Sequence, residues 1–481
     1  MVFNSWQFAV FLPAVFSVYW LLPHKYRWAF ILLSSCFFYM SAGPKYVVLL
    51  LATTAITYGT AIWVERTRNK KRKKAILALS VFICFACLAL FKYFNFITSS
   101  IAEAFSLFSI KLHPTTLKIA LPLGISFYTF NVVSYMVDVY KERIPAERHF
   151  GIYAAFVTYF PKLLSGPIER AEPMLNQLKA EKTFDCKQGV SGLKLFLWGL
   201  FKKIVVADTL VIYVDSVFNS MAQHSGFALV LAALFFSIQI YCDFSGYTDM
   251  AKGVSKLLGI ELMDNFRSPY FSTSIKEFWS RWHISLSTWF RDYVYIPMGG
   301  NRTKKFKQYF NILVTFLASG LWHGANWTYV LWGGLHGFAQ IIEKQFGIKA
   351  VKSKRGVIWL PRALAVFVFV TAAWVFFRAD SLSDSIHLFV NMFNGISSPV
   401  NYLRQGFDSI GMTMGGLLNF VIFMLPLTAY DFVSIKYERD AGEIISEKSG
   451  ILSWLFYVFI GLIVVFMSQK GVAAQFVYMQ F

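Results

Sequence analysis

Two histidines in apolar sequence are the residues best suited to chemistry. His323 stands in LWHGANWTYVLWGGLHG (321–337), and His283 stands in SRWHIS (280–285). An ionisable side chain is costly in hydrocarbon, so one within a membrane span normally faces the protein interior or a watery cavity and often marks a pathway. A neutral imidazole, with a reference pKa of about 6.5, can take a proton near neutral pH. These residue types therefore predict general base catalysis at a buried site.

The neighbours of His323 favour a substrate site. Trp322 is bulky and rigid, whereas Gly324 leaves the backbone open to close approach by a ligand or another helix. The alternative is an imidazole that only hydrogen-bonds between helices. His336 lies further along the same stretch, and in one continuous helix it would stand roughly 220° around from His323. We therefore expect a packing or interhelical role for His336, unless the glycine pair before it breaks the helix.

Few other polar groups fall within the apolar runs: Asp138, Asp243, Ser245, Asp249 and Asn326. Glu277 and Asp292 have Lys and Arg neighbours, so we expect ion pairs there rather than acid–base chemistry. Three histidines could suggest zinc, but they stand on separate elements without a partner at ligand spacing, so no metal site is predicted. The chain has no phosphate-binding loop, H-E-x-x-H or G-x-S-x-G motif.

The elements that position these groups must be membrane helices. The chain has 481 residues, of which 56% are hydrophobic and 15% charged, and its mean hydropathy is +0.51. Runs of about 20 apolar residues mark spans. We predict an all-α polytopic membrane protein, a single integral domain over 1–481 with about eleven spans. The apolar runs lie at 6–22, 28–41, 45–64, 75–97, 118–138, 151–165, 190–214, 226–244, 309–343, 358–377, 415–433 and 452–468.

The stretch that contains His283 is too polar for an ordinary span. In SIKEFWSRWHISLSTWFRDYVYIP (274–297), charged residues alternate with tryptophan and phenylalanine. An amphipathic segment rich in Trp and Arg is typical of a helix at the membrane boundary or one that dips into the protein. We therefore predict short interfacial or re-entrant helices here.

The formal net charge of +20 comes largely from loops. Excess Lys and Arg marks the cytoplasmic loops of membrane proteins, so we predict no nucleic-acid partner. Basic segments at 24–27, 66–74 and 140–149 follow the first, third and fifth apolar runs, which alternates correctly if the N-terminus lies outside. No Lys or Arg precedes Trp6, the reverse of a cleavable signal peptide, so we expect an uncleaved, outward-facing N-terminus.

Several stretches, in a common order, resemble the membrane-bound O-acyltransferase (MBOAT) family, specifically its bacterial alginate O-acetyltransferase branch. They are LPLGISFYTFNVVSYMVDVY, YFPKLLSGPIERAEPMLNQL, GLFKKIVVAD, YCDFSGYTDMAKGVSKLLGI, NFRSPYFSTSIKEFWSRWHISLSTWFRDYVYIPMGGNR, GLWHGANWTYVLWGGLHG and the terminal QFVYMQF. The resemblance is strongest over about 120–340. Outside that core it rests mainly on hydropathy.

The resemblance implies a site and an architecture. His323 matches the family's W-H-G histidine, which implies that it is catalytic, and His283 matches a second recurrent polar position in R-W-H-x-S. Similar proteins enclose both in a tunnel through a ring of helices, with the acyl donor entering from the cytoplasm and the acceptor from outside. The candidate tunnel or substrate contacts are Trp322, Asn326, Trp282 and Asp243. Asn326 departs from the serine that many relatives have.

The resemblance also implies an activity: transfer of an acetyl group from acetyl-CoA or a related cytoplasmic thioester to hydroxyls of an exported or cell-wall polysaccharide. We expect no bound cofactor, a bacterial cytoplasmic membrane, and an extracytoplasmic SGNH-type partner or polysaccharide-modification complex. His323 would take the hydroxyl proton, and His283, Asn326 or a backbone N–H would stabilise the oxyanion, a role worth about 3 to 4 kcal/mol per donor.

Two alternatives stay open from the sequence. One is the D-alanyl transferase of teichoic acid synthesis, a branch of the same family that also has two such histidines. The other is a transporter, which would also need buried polar groups, although no pair of Gly/Pro-broken spans stands in matching halves.

Overall fold

A computed structural model describes residues 1–41, 43–117, 120–351, 358–468 and 476–477. Every regular element in these ranges is a helix, which confirms the all-α prediction. The chain forms two compact units. Unit 1 comprises Met1–Leu193 and Ala251–Met263, and unit 2 comprises Lys194–Met250 and Asp264–Phe481. That 1–481 acts as a single domain stays a prediction.

The helices follow one another with short connections. The first ten are α1 (Trp6–Leu21), α2 (His24–Met40), α3 (Pro44–Arg66), α4 (Lys70–Lys92), α5 (Phe94–Ser106), α6 (Ile125–Tyr140), α7 (Phe150–Thr158), α8 (Phe160–Leu163), α9 (Ala171–Lys179) and α10 (Cys186–Leu200). Then come a π-helical turn (Phe201–Ala207), α11 (Asp208–Phe218), a 3-10 turn (Met221–Gln223), α12 (Phe227–Leu257) and a second 3-10 turn (Pro269–Phe271). The remainder are α13 (Ile275–Arg281), α14 (Ile284–Phe290), a π-helical turn (Arg291–Tyr295), α15 (Lys305–His323), α16 (Trp327–Gln345), α17 (Trp359–Arg378), α18 (Leu382–Asn391), α19 (Pro399–Ser409), α20 (Met414–Tyr437), α21 (Ala441–Lys448) and α22 (Gly450–Ser468).

Six of the helices that the structure describes are long and apolar enough to cross a membrane: α3, α4, α12, α17, α20 and α22. The most apolar window of α12 is 78% buried inside the protein, whereas that of α4 is 17% buried. An apolar helix that protein covers on most sides is a core helix, and one whose apolar surface stays uncovered suits contact with lipid. The chain is thus a multi-pass membrane protein, and the predicted count of about eleven spans is not confirmed.

Three predicted spans are divided in the structure: 151–165 at Tyr159, 190–214 at the first π-helical turn, and 309–343 between α15 and α16. The last break has a clear cause. The side-chain oxygen of Asn326 accepts a hydrogen bond from Thr328 N at 3.1 Å and so caps a new helix. The continuous helix used to separate His336 from His323 is therefore wrong, and the two residues stand on different helices.

The three basic loops of unit 1 contact one another. The Trp28 ring, directly after the first basic segment, lies 4.7 Å from the His149 ring in the third. Lys73 Nζ, close after the second segment begins, pairs with Glu142 Oε1 at 2.7 Å. Loops that should share one side of the membrane are therefore grouped together.

Glycines allow α15 and α16 to pack backbone against backbone. A Cβ on Gly320 would lie 2.2 Å from Tyr329 O, and one on Gly333 would lie 2.3 Å from Phe316 O. A Cβ on Gly324 would meet the Tyr329 ring at 2.1 Å. Since real Cβ atoms do not approach so closely, only glycine fits here. The close approach expected at Gly324 is therefore made by another helix, which fixes the end of α15 where His323 stands.

Candidate active site

His283 occupies the sharp turn between α13 and α14. Its backbone φ is +44°, in the left-handed region that non-glycine residues rarely adopt and that recurs at functional sites. The helix before it is fixed at its start, because Ser274 Oγ accepts from Glu277 N at 3.0 Å and Glu277 Oε2 accepts from Thr273 N at 2.8 Å. The imidazole is thus presented by a strained turn between two short helices rather than by a regular span.

Asn265 holds the His283 ring in place. Its Oδ1 accepts from His283 Nδ1 at 3.1 Å, from Ser285 N at 3.2 Å and from Ser285 Oγ at 2.9 Å. Because the backbone N–H of Ser285 can only donate, the amide atom that faces it is the oxygen, and Nδ1 of His283 must carry a proton. The neutral ring then has Nε2 as its proton acceptor. His283 lies outside the six candidate spans, and burial lowers the pKa of its imidazole to about 3.

The structure brings the two predicted catalytic histidines together. His323 ends α15, and its ring centroid lies 6.3 Å from that of His283. The two side chains are 2% and 0% exposed, respectively. We call these residues the histidine pair. At this separation, one small reacting group can contact both rings.

Aromatic rings surround the histidine pair. The ring of His323 lies 4.9 Å from that of Trp322, 5.0 Å from that of Trp332 and 5.3 Å from that of Phe377. The ring of Phe244 lies 4.7 Å from that of the other histidine. An enclosure of this kind excludes bulk water and strengthens the electrostatic interactions within it. Trp322 therefore lies where a reactant contact was predicted.

His336 forms part of the same aromatic cluster, although not of the histidine pair. Its Nδ1 accepts from Trp279 Nε1 at 3.2 Å, and its side chain is buried. Its ring lies 5.2 Å from that of Trp332, which also contacts His323. The hydrogen bond between helices fits the predicted packing role, while the distance to the site is shorter than the sequence suggested.

The other predicted contacts differ in their surroundings. Trp282 is fully buried, and its ring lies 4.9 Å from that of Trp374. Asn326 uses its amide oxygen as the helix cap and its amide nitrogen to bind Asp380 O at 2.9 Å, so we do not carry it into the reaction. Asp243 is engaged at both oxygens, by Lys203 Nζ at 2.7 Å and by Val477 N at 2.7 Å. A substrate contact by Asp243 stays a prediction.

Buried and half-buried carboxylates are paired with cations. Glu277 lies 2.9 Å from Arg281, and Asp292 lies 2.8 Å from Arg291, so the predicted ion pairs are confirmed. The same holds for the polar groups inside the apolar runs, since Asp138 pairs with Arg143 at 2.9 Å and Asp249 with Lys202 at 2.7 Å. Paired carboxylates carry a structural role without needing an acid–base one. Among the residues that the structure describes, no three His, Cys, Asp or Glu side chains form a group suited to a metal ion.

Sequence reasoning missed Asn265 and Trp279 as partners of the histidines. Asn265 lies 18 residues before His283, and Trp279 lies 57 residues before His336. Neither separation matches a helical period, so no local pattern connects them. The only signal was that both stand in the long polar–aromatic stretch around the first histidine.

Comparison with known proteins identifies the family. The sequence model described as MBOAT, membrane-bound O-acyltransferase family, matches residues 142–378, which include both histidines of the pair. An Azotobacter vinelandii protein named "Probable alginate O-acetylase AlgI" is 39% identical over 468 residues, which cover 94% of this chain and 92% of that protein. The chain belongs to the membrane-bound O-acyltransferase family. It is therefore an acyltransferase embedded in the lipid bilayer, as the sequence resemblance implied.

Relatives within the MBOAT family differ in their similarity. The peptidoglycan O-acetyltransferase of Helicobacter pylori is 34% identical over 434 residues, which cover 82% of this chain and 81% of that protein. The teichoic acid D-alanyltransferase of Streptococcus thermophilus is 29% identical over 269 residues, covering 51% and 65%. The stronger and longer match to O-acetylating proteins favours acetyl over D-alanyl transfer.

Proposed function

We propose that this MBOAT protein transfers an acetyl group from a thioester donor, acetyl-CoA or a related carrier, to hydroxyls of an exported or cell-wall polysaccharide. The observation that carries the proposal is the histidine pair, two buried imidazoles 6.3 Å apart in an aromatic enclosure. The similarity to proteins named for alginate and peptidoglycan O-acetylation supports acetyl as the group transferred.

In the proposed reaction, His323 acts as the general base. The acceptor hydroxyl oxygen attacks the thioester carbonyl carbon while its proton passes to His323. The tetrahedral intermediate then collapses, the carbon–sulfur bond breaks, and the departing sulfur takes the proton back from the imidazolium as a free thiol. The products are an acetyl ester and a thiol, and the histidine returns to its neutral form.

His283 is proposed to orient the acceptor. Because Asn265 binds its Nδ1–H, the neutral ring offers Nε2, which can accept a hydrogen bond from the acceptor hydroxyl. In this tautomer the ring has no second N–H to give to an oxyanion. The structure thus favours positioning of the hydroxyl over the oxyanion role considered from the sequence.

The two substrates are proposed to reach the histidine pair from opposite sides of the bacterial cytoplasmic membrane. Acetyl-CoA is made inside and is too large and anionic to cross, whereas mature polysaccharide lies outside. We propose that the basic loops of unit 1 face the cytoplasm and that the N-terminus faces outward. An extracytoplasmic SGNH-type protein would receive the acetyl group or share the polysaccharide substrate.

The test replaces each histidine in the source organism and measures ester-linked acetate and D-alanine released from its cell-surface polysaccharides by mild base. We expect His323→Ala to abolish ester-linked acetate and His283→Ala to lower it roughly 10²-fold. The control is His113→Ala, an exposed histidine outside the site. Equal membrane abundance of all variants, measured by immunoblot, separates chemistry from folding.

Two results would contradict the proposal. Unchanged acetate in the His323→Ala strain, at normal protein abundance, would remove that histidine from the chemistry. Loss of D-alanine in place of acetate would show that the chain belongs with the teichoic acid enzymes in its activity.

A further inference from the structure

Three buried tryptophans near the histidine pair have indole N–H groups that bind nothing within the protein. Trp282, Trp332 and Trp374 are each 0% exposed, and in the part of the chain that the structure describes their Nε1 atoms have no hydrogen-bond partner. Burying an N–H without a partner costs about 1 to 3 kcal/mol. Buried tryptophans usually find a partner for this group. Three such exceptions in one place call for a ligand.

The three indoles form a continuous aromatic stack that reaches His323. The ring centroids of Trp282 and Trp374 are 4.9 Å apart, and those of Trp374 and Trp332 are 5.4 Å apart. The Trp332 ring lies 5.0 Å from the His323 ring at an angle of 89°. The unsatisfied donors are therefore next to the proposed base. We call these three residues the indole stack.

A neighbouring tryptophan shows that this packing does not prevent satisfaction. The Trp279 ring lies 5.6 Å from that of Trp332, yet its Nε1 donates to His336 Nδ1 at 3.2 Å. The aromatic cluster can thus supply a partner to an indole where only structure requires one. In the indole stack it does not.

The proposed reaction needs a donor that other residues at the site do not supply. A negative charge develops on the carbonyl oxygen when the hydroxyl adds to the thioester, and preorganised N–H groups stabilise that charge. His283 gives its Nδ1–H to Asn265, and the Asn326 amide is used as a helix cap and a bond to Asp380 O. The indole stack has the remaining uncommitted donors beside His323.

We propose that the Trp332 indole N–H is the oxyanion donor of this enzyme, and that Trp374 and Trp282 bind further oxygen atoms of the reactants along the stack. The proposal rests on the proposed acetyl transfer. In it, the hydroxyl oxygen bonds to the carbonyl carbon, the proton passes to His323, and the carbonyl oxygen becomes an oxyanion that accepts the Trp332 N–H. Collapse restores the carbonyl and expels the thiol with the same proton.

The test removes the N–H while keeping an aromatic ring. Trp332→Phe and the wild-type protein are purified in lipid nanodiscs and supplied with acetyl-CoA and cell-surface polysaccharide of the source organism, previously deacetylated with mild base. Thiol release and ester formation give kcat and KM. We expect kcat to fall roughly 10²- to 10³-fold with little change in KM for acetyl-CoA, because the bond forms only in the transition state.

Trp279→Phe is the matched control, since it removes an indole N–H that the protein itself satisfies. It should lower thermal stability and leave kcat within a few-fold of wild type. Phenylalanine is smaller than tryptophan, so a second variant carries β-(3-benzothienyl)alanine at position 332, which keeps the bicyclic shape and lacks the N–H. This variant should show the same loss of kcat at wild-type thermal stability.

The outcomes separate the two proposals. If the benzothienyl variant turns over like wild type, Trp332 is not the oxyanion donor, although the acetyl transfer itself stands. If wild-type protein makes neither ester nor thiol with acetyl-CoA and this polysaccharide, the proposed function fails first. An equal fall in kcat for Trp279→Phe would show that packing, not the N–H, determines the effect.

Discussion

Replacing Asn265 with alanine tests whether the tautomer of His283 matters. The change removes the acceptor of three hydrogen bonds, from His283 Nδ1, Ser285 N and Ser285 Oγ. The serine hydroxyl can rotate to another acceptor, but the two N–H groups cannot, and each buried N–H left unpaired costs about 1 to 3 kcal/mol. The backbone share lowers stability. The histidine share is relieved if the ring moves its proton to Nε2, which removes the acceptor that the hydroxyl needs.

The histidine share of about 1 to 3 kcal/mol corresponds to a loss of turnover of roughly 5- to 150-fold. We expect this loss in kcat, measured with the acetyl-CoA and polysaccharide assay, beyond any fall in folded protein. Asn265→Asp, which keeps an acceptor oxygen, should lose less turnover than the alanine variant. The matched control is Asn311→Ala, because Asn311 is also fully buried and bonds Met298 O at 3.2 Å without contacting either histidine.

Two results would refute this reasoning. Wild-type kcat in folded Asn265→Ala would mean that the hydrogen bond to His283 has no part in catalysis. An equal loss of kcat in Asn311→Ala, at equal thermal stability, would mean that turnover follows general destabilisation of unit 2.

Further predictions concern His336 and the membrane orientation. His336→Ala should lower thermal stability, because Trp279 loses its acceptor in a buried cluster, while kcat of the folded protein stays within a few-fold of wild type; a larger loss of kcat at unchanged stability would place His336 in the reaction. In a background without the five native cysteines, Lys70→Cys should react with impermeant thiol reagents only after lysis, and labelling in intact cells would contradict the proposed orientation.

The sequence predicted the class of fold and the identity of the pair well, for physical reasons. Composition alone requires burial in lipid, and a histidine in an apolar run is costly enough that few explanations fit. The break before α16 also had a readable signal, since Asn326 is a favoured helix cap, yet the apolar run around it hid the boundary. Hydropathy measures burial and does not see where a helix ends.

The contacts that tune the site could not be read from the sequence. The Asn265–His283 bond joins residues on either side of a turn whose conformation depends on the positive φ at His283. The indole stack joins residues 282, 332 and 374, which stand on or beside different helices. Local periodicity carries no information about such distant pairs, so only tertiary packing shows which tryptophans are satisfied and which are not.

The most direct test of the account encloses radiolabelled acetyl-CoA in proteoliposomes that contain the protein, with deacetylated polysaccharide outside. Ester-linked label in the recovered outer polysaccharide is counted against time, after correction for leakage measured with a protein-free vesicle. The account predicts that wild-type protein transfers label outward and that folded His323→Ala transfers none. Transfer by His323→Ala at the wild-type rate would contradict the central claim that the buried histidine pair carries out the acetyl transfer.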